Sequence, residues 1–497
     1  MRRYFLTLVC AALVATGAAM PGRAQTKMPQ MAFRDRTLPN GLRVLSVVDK
    51  SSPSVAINVW YHVGSKDDPD QRSGFAHLFE HIMFKSTRNM KAEMMDRLTE
   101  DVGGNNNAYT EDDVTVYFET IPSNYLETLL WAEAERLASL TVDEANFVSE
   151  RAVVQEEYRQ SVLAPPYGKF FYAMQQKSFN SHPYKRPTIG SIEDLQAATV
   201  KNVQDFHSTF YRPDNATLIV VGDFDPKQLD AWVDKYFATI PKPNLPLPRV
   251  QVNEAARSGE KRFSEFGSNV PLPAVGITYL VPSRKSEDAA ALTMADVILS
   301  QGRSSRLYQA LVYQQQVAQS TNSNADLKED AGLFTLTAIV ANGKKTEDAE
   351  GALRAEVKKL QDAPVSDAEL EKAKNQVIAS ELQGRETNLG KSQALGNAAV
   401  LLSDPNRVNT ELEKLQAVTA ADVQRVAKKY FTDDNRYVFT YLPESARTSS
   451  ATNQATVEGK STQYGRGQVA PLATSVQYLR DSSITRFFRS TINGGAR

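Results

Sequence analysis

The sequence repeats itself once, at an offset of 220 residues, and that repeat limits the fold more than any other feature. Leu195-Gln196-Ala197-Ala198-Thr199 returns as Leu415-Gln416-Ala417-Val418-Thr419, and Val203-Gln204 as Val423-Gln424. Phe210-Tyr211 returns as Tyr430-Phe431, and Asp214-Asn215 as Asp434-Asn435. At the same offset Pro53, Val55 and Ile57 fall on Pro273, Val275 and Ile277. Matches in one register at both ends of a unit point to a duplicated domain, and the period is far too long for a solenoid. A chain of 497 residues has room for two to four ordinary domains, and the duplication favours two.

Each copy reads as mixed helix and strand. Ser54 to Tyr61 is rich in β-branched and aromatic residues, as is Ala216 to Val221, which Gly222-Asp223 closes. Helical periodicity covers Gly74 to Phe84, Lys91 to Val102, Ser123 to Leu140 and Asp143 to Ser161. Helices run in groups between strands without strict alternation, so the expected class is α+β, as two homologous mixed α/β domains. The first domain is expected over 25–245 and the second over 266–445. A Pro-rich polar stretch from residue 241, with its core at 246–265, is expected to link them. From Ala446 the chain loses apolar residues and gains Arg and Lys, so 446–497 is expected to be a disordered basic tail.

The first residues read as an export signal. Met1-Arg2-Arg3 is basic, Tyr4 to Met20 is apolar, and Gly22-Arg23-Ala24 offers the small residues of a cleavage site. The expected signal peptide is 1–24, with a mature start at Gln25 and a secreted, periplasmic destination. A membrane anchor is the weaker reading, because the run is short of about 20 spanning residues and ends in Pro21-Gly22. The one cysteine, Cys10, lies in that segment, so the mature chain needs no disulfide. No later segment is apolar enough to span a membrane. A formal charge of -1 argues against a general nucleic-acid binder.

The chemistry is concentrated in His77-Leu78-Phe79-Glu80-His81. Residues four apart on a helix share a face, so both imidazoles can reach one cation, with Glu80 beside them. Two imidazoles and a free carboxylate suit a zinc site that acidifies water next to a base. With 5 histidines in the chain, two unrelated surface residues are an improbable source of this pattern. A catalytic zinc takes three protein ligands, and the third must come from elsewhere. His62, His182 and His207 are each isolated and read as ordinary hydrogen-bonded histidines. Glu150 and Glu157 stand with Val153 and Val154 on one helix face, where an unpaired acid is costly. Glu156 points about 100° away from Glu157 and reads as solvated. An ion pair with an arginine remains the competing reading for Glu157.

His77-x-x-Glu80-His81 followed by Glu157 resembles the inverted zinc motif of the inverzincins, which include pitrilysin, the insulin-degrading enzyme and the mitochondrial processing peptidase. Leu38-Pro39-Asn40-Gly41-Leu42-Arg43-Val44 is similar to that family's opening strand. Gly103-Gly104 with Asn107-Ala108-Tyr109-Thr110 is similar to its edge strand. Tyr184, Pro187, Ile189-Gly190, Tyr211-x-Pro213 and Val221-Gly222-Asp223 match the close of its first domain.

The resemblance covers about residues 35–445. It implies one Zn2+ per chain on His77, His81 and Glu157, with Glu80 as general base and Glu150 as a supporting carboxylate behind the ligands. It also implies a zinc metalloendopeptidase that binds extended peptide along Asn107, Ala108 and Tyr109. The family builds a clamshell chamber from four homologous domains, and two domains make half of it. Active members carry an Arg, and a Tyr seven residues on, in a later domain. Here Val312 and Gln319 stand at those places, with Arg306 and Tyr308 nearby. A heterodimer is therefore expected, in which a homologous partner subunit supplies the Arg/Tyr pair. The competing expectation is a zinc-binding assembly or chaperone-like subunit with little proteolysis of its own. Zinc hydrolysis of a non-peptide has no support beyond the bare motif.

Overall fold

The computed structural model describes residues 29–447; the expected signal peptide and nearly all of the expected tail lie outside them. Among the described residues eleven strands form two sheets. The first contains β1 (Arg34–Thr37), β2 (Arg43–Val48), β3 (Ser54–Tyr61), β4 (Asn105–Thr110), β5 (Thr115–Pro122) and β6 (Ala216–Gly222), in the order β1-β2-β6-β3-β5-β4. The second contains β7 (Lys261–Gly267), β8 (Ala274–Val281), β9 (Ala318–Asp326), β10 (Gly332–Val340) and β11 (Arg436–Pro443), in the order β7-β11-β8-β10-β9.

The sheets repeat one plan. β2 runs parallel to β6 and β7 parallel to β11, and the other neighbours are antiparallel. β1 has no counterpart among the described residues of the second sheet. The repeated sequence fragments are the residues that end helices. Thr199 and Thr419 cap the helices Val200–Phe210 and Ala420–Tyr430, accepting N–H bonds from Asn202 and Asp422. Such caps contribute about 1 kcal/mol each. At the other ends, Asn215 Nδ2 donates to the Phe210 carbonyl at 2.8 Å and Asn435 Nδ2 to the Tyr430 carbonyl at 2.7 Å.

Both faces of each sheet are covered, which is why β3 is apolar almost throughout. Val55, Ile57, Val59 and Tyr61 face the helices of the first half. Trp60, on the opposite face with the period of two, packs against Leu395, Ala398 and Leu401 from the second half. The helix Asn388–Gly396 and its π-helical extension Asn397–Leu401 thus cover the first sheet. The equivalent helix of the first half, Gly168–Ser178, covers the second sheet, with Phe170 and Met174 against Tyr437, Phe439 and Tyr441. The exchange includes a side-chain bond from the same strand position in each sheet. Asn58 of β3 donates to Ser392, and its repeat equivalent Thr278 of β8 lies 2.9 Å from Ser178, hydroxyl to hydroxyl. The approach is close on both sides: a Cβ on Gly276 would sit 2.6 Å from Met174 Sδ, and one on Gly396 would overlap the Trp60 ring.

The linker expectation needs correction. Residues 261–265 are not linker: β7 begins at Lys261, pairs with Tyr437 onward, and stacks Phe263 on Phe439 at 4.9 Å. The Pro-rich stretch before it is pinned. Arg212 donates to the Pro243 and Leu245 carbonyls at 2.9 Å each, and Arg249 to the His62 carbonyl at 2.7 Å. Glu254 accepts the N–H groups of Asn180, Ser181 and His182 at 2.6, 2.9 and 2.7 Å. Proline removes donors but leaves carbonyls, and the buried Arg212 uses two of the stretch's carbonyls.

Candidate metal centre

The motif helix is Phe75–Ile82. It starts at Gly74, whose φ of 90° is the left-handed conformation glycine allows, and which lies directly against Ile189 and Gly190. Asp68 accepts the N–H groups of Gly74 and Ala76 at 2.7 and 2.8 Å, satisfying the helix start. Phe75, Leu78, Phe79 and Ile82 are buried in the first core, which fixes the rotation of the helix and leaves His77, Glu80 and His81 together. The helix Glu144–Tyr158, capped by Asp143, brings Glu150 and Glu157 alongside and continues as a π-helical turn over Arg159–Leu163.

Glu157 Oε2 lies 3.4 Å from His77 Nε2 and 3.3 Å from His81 Nε2. The imidazole planes stand at 87°, and the three ligand atoms all lie within 4.8 Å of one another. Two ligands about 2.1 Å from a tetrahedral zinc are about 3.4 Å apart, which is the spacing of Glu157 from each imidazole. Its hydrogen bonding also fits an ion: Glu157 Oε2 is buried and has no hydrogen-bond partner. Carboxylate and imidazole are donors zinc accepts.

The electrostatics agree. Burial pushes the His77 imidazole down to about 4. Burial acts on His81 in the same sense but is outweighed by Glu150 and Glu157, which lift it to about 10. Burial would raise Glu157 too, yet His81 and His77 hold it down at about 2. A proton on His81 therefore occupies a place suited to a cation, and metal binding would release it.

Glu80 is separate from this set. Its Oε2 accepts a hydrogen bond from Thr110 Oγ1 at 2.5 Å, and burial, opposed by His81 and Thr110, raises its carboxyl to about 7. Glu150 lies behind His81: its Oε2 is 3.6 Å from His81 Nδ1, and its Oε1 is 2.8 Å from Lys85 Nζ. An acid in that position keeps the ring turned with Nε2 toward the centre. Glu156 is exposed and pairs with Arg159 at 3.1 Å. Val153, expected on an apolar stripe with Val154, is exposed, because it lies at the outer edge of the face that carries Glu157.

Asn107, Ala108 and Tyr109 lie on β4, the edge strand of the first sheet. Ala108 is buried, and Tyr109 packs against Trp60 and Phe118 on the sheet face opposite the motif helix, so the strand offers its backbone edge. The other histidines are engaged elsewhere. His62 Nε2 is 2.6 Å from Glu329, His182 accepts from the Tyr184 N–H at 3.2 Å, and His207 stacks on Phe79. Val312 lies in the π-helical turn Tyr308–Gln314 and Gln319 on β9. Arg306 is held by Glu369 through two bonds of 2.7 Å, so it is not a free anion donor. Sequence reading missed Asp68, Lys85 and the bond from Thr110 to Glu80. Lys85, four residues after His81, carried the one signal that spacing could have used.

Comparison with known proteins names this arrangement. The model for Insulinase (Peptidase family M16) matches residues 43–191, and the model for Peptidase M16 inactive domain matches residues 197–377. The zinc protease PqqE of Helicobacter pylori is 30% identical over 423 residues, which is 85% of this chain and 94% of that protein. The crystal structure of a protease from Helicobacter pylori superposes with a TM-score of 0.80 at 29% identity, covering 84% of this chain and all of that one. The periplasmic protease PqqL from Escherichia coli superposes with a TM-score of 0.70 at 18% identity, over 91% of this chain but 53% of PqqL. The fold is of the M16 peptidase type. The chain belongs to peptidase family M16, the insulinase family.

Proposed function

We propose that this chain is a secreted zinc metalloendopeptidase, placed in the periplasm, that hydrolyses extended peptides or unfolded segments. The observation that carries the reading is the buried trio His77, His81 and Glu157 with Glu80 held beside it by Thr110. All three ligands come from the first copy of the duplicated unit. A zinc ion held by them would supply Lewis acidity and lower the pKa of water.

Glu80, with a carboxyl near 7, takes a proton from the attacking water and returns it to the leaving amine. Thr110 keeps that carboxylate in place on the strand where substrate would lie. β4, the edge strand, pairs with an extended peptide as an added strand, which favours unfolded chains. The leader-like first residues and the periplasmic neighbour PqqL support export, and no helix among the described residues is long and apolar enough to cross a membrane.

The chain matches about half of PqqL, which supports a chamber completed by a second, homologous subunit. Val312 has no side-chain donor and the amide of Gln319 carries no charge, so neither replaces a guanidinium, and in this reading the partner supplies the Arg/Tyr pair. The name of the model over 197–377 favours the second reading, a zinc-binding assembly subunit with little hydrolysis. Peptide cleavage by the zinc-loaded chain, alone and with a homologue carrying the Arg/Tyr pair, separates the two. No cleavage in either case, with zinc bound, would leave the assembly reading standing.

A further inference from the structure

Resting on the peptidase reading, we infer that Glu111 selects a basic side chain, Lys or Arg, in the peptide bound along β4. The residue opens a cleft of about 550 Å³ between the two halves of the molecule. Three of its lining residues adjoin the metal centre. Glu111 directly follows Thr110, the donor to Glu80. Ser161 lies one turn beyond Glu157 and donates to its carbonyl at 2.7 Å. The Ile189 carbonyl lies against Gly74, at the head of the motif helix. The far wall is the second sheet, where Asn322, Asn324 and Asp326 alternate along β9 and face inward.

The charges lining this cleft are unequal: Glu111, Asp112, Asp113 and Asp326 against Arg284 and Lys328. Most are already satisfied. Lys328 is taken by Asp112 and by Asp326, the latter at 2.9 Å. Asp113 is taken by Lys66 at 2.9 Å and the Tyr184 hydroxyl at 2.5 Å. Arg284 is anchored through Nε to the Leu327 carbonyl at 2.9 Å. Among the described residues Glu111 has neither a side-chain hydrogen bond nor an ion pair, and it feels Arg284 without touching it. Burial pushes its carboxyl up, as expected for an acid drawn partly out of water without a partner. A substrate ammonium or guanidinium supplies the missing partner through a charge-assisted hydrogen bond. An acidic side chain meets a surplus of carboxylates instead. Because Glu111 directly follows Thr110 at the end of β4, the selected residue lies within a few positions of the scissile bond.

The test is binding, so that it does not depend on turnover. Fluorescent peptides that differ by one Arg or citrulline, moved position by position, are titrated by anisotropy against the zinc-loaded Glu80→Gln chain. At one position the Arg peptide should bind about tenfold more tightly than its citrulline twin, the scale of one charge-assisted bond in a half-exposed cleft. Adding Glu111→Gln should bring the ratio to about one, and Glu111→Lys should turn the preference toward a Glu peptide. Glu111→Ser is the second neutral variant should Gln disturb folding, with zinc content and melting temperature as controls. Equal affinities at every position, or a preference that survives both neutral variants, would overturn the inference. Cleavage by the Glu80-intact chain is scored separately. With a homologue carrying the Arg/Tyr pair added, charge preference without cleavage counts against the peptidase reading, and cleavage without charge preference counts against Glu111.

Discussion

Thr110 Oγ1 and Glu80 Oε2 are 2.5 Å apart, and this bond joins the edge strand of the first sheet to the motif helix. It sets the position of the proposed base and also lowers its carboxyl against the upward push of burial. Thr110→Val should therefore cut kcat/KM by roughly tenfold, the order of one lost charge-assisted bond. The acid limb of the pH–rate profile should move to higher pH, since the donor that favours the ionised form is gone. Thr110→Ser should restore both. An unmoved acid limb in the Val variant would show that the bond does not act on the base.

His77→Ala, His81→Ala and Glu157→Ala should each abolish stoichiometric zinc, read by elemental analysis, because each removes one of three ligands. Glu80→Gln should retain about one zinc per chain while losing turnover by about 10²- to 10⁴-fold. Glu150→Gln should bind zinc more weakly by about 10- to 100-fold, as its contact is with His81 rather than with the ion. Zinc kept by Glu157→Ala but lost by Glu156→Ala would show that the third ligand is wrongly assigned.

Stability at low pH should depend on Asp288. Burial alone would raise its carboxyl, but Lys429, Tyr430 and Arg425 hold it down to about 2. A folded-state value below the unfolded one stabilises at pH above the ordinary carboxylate range, and the benefit is lost as pH falls toward 2. Asp288→Asn should lower the melting temperature at pH 7 and much less at pH 2.5. An equal loss at both pH values would mean the carboxylate's charge is not what matters.

Gly396→Ala should destabilise by about 1–3 kcal/mol, because the added methyl overlaps Trp60 and the cover helix must shift. Thermal denaturation reads this directly, and a neutral result would mean that the helix sits further from β3 than described.

What the sequence disclosed follows the range of the forces involved. The duplication was legible because Thr199, Thr419, Asn215 and Asn435 act on their own helix ends, within a few residues. The histidine pair was legible because four-residue spacing on a helix fixes a shared face. Glu157 and Glu150 needed the family pattern, since nothing local says which helix lies alongside. The Thr110 bond and the exchanged helices were not legible, because residues far apart in the chain meet there. Gly276 and Gly396 carry no sign of what covers them. The end of the linker at 261–265 was misread for the same reason: β7 is fixed there by its pairing with β11, far along the chain.

The exchange of cover helices also sets a timetable for synthesis. Trp60, Ile219 and Val221 on the first sheet stay uncovered until residues 388–401 exist, so the first half cannot finish folding when its own last strand leaves the ribosome. Contacts this distant in sequence close late and slowly. Residues 25–245 expressed alone should accordingly bind a hydrophobic dye and resist solubilisation, whereas a soluble, dye-silent fragment would refute the delay. A polypeptide held open through four-fifths of its translation is one that a secretion channel, which passes threads and not globules, still has time to take.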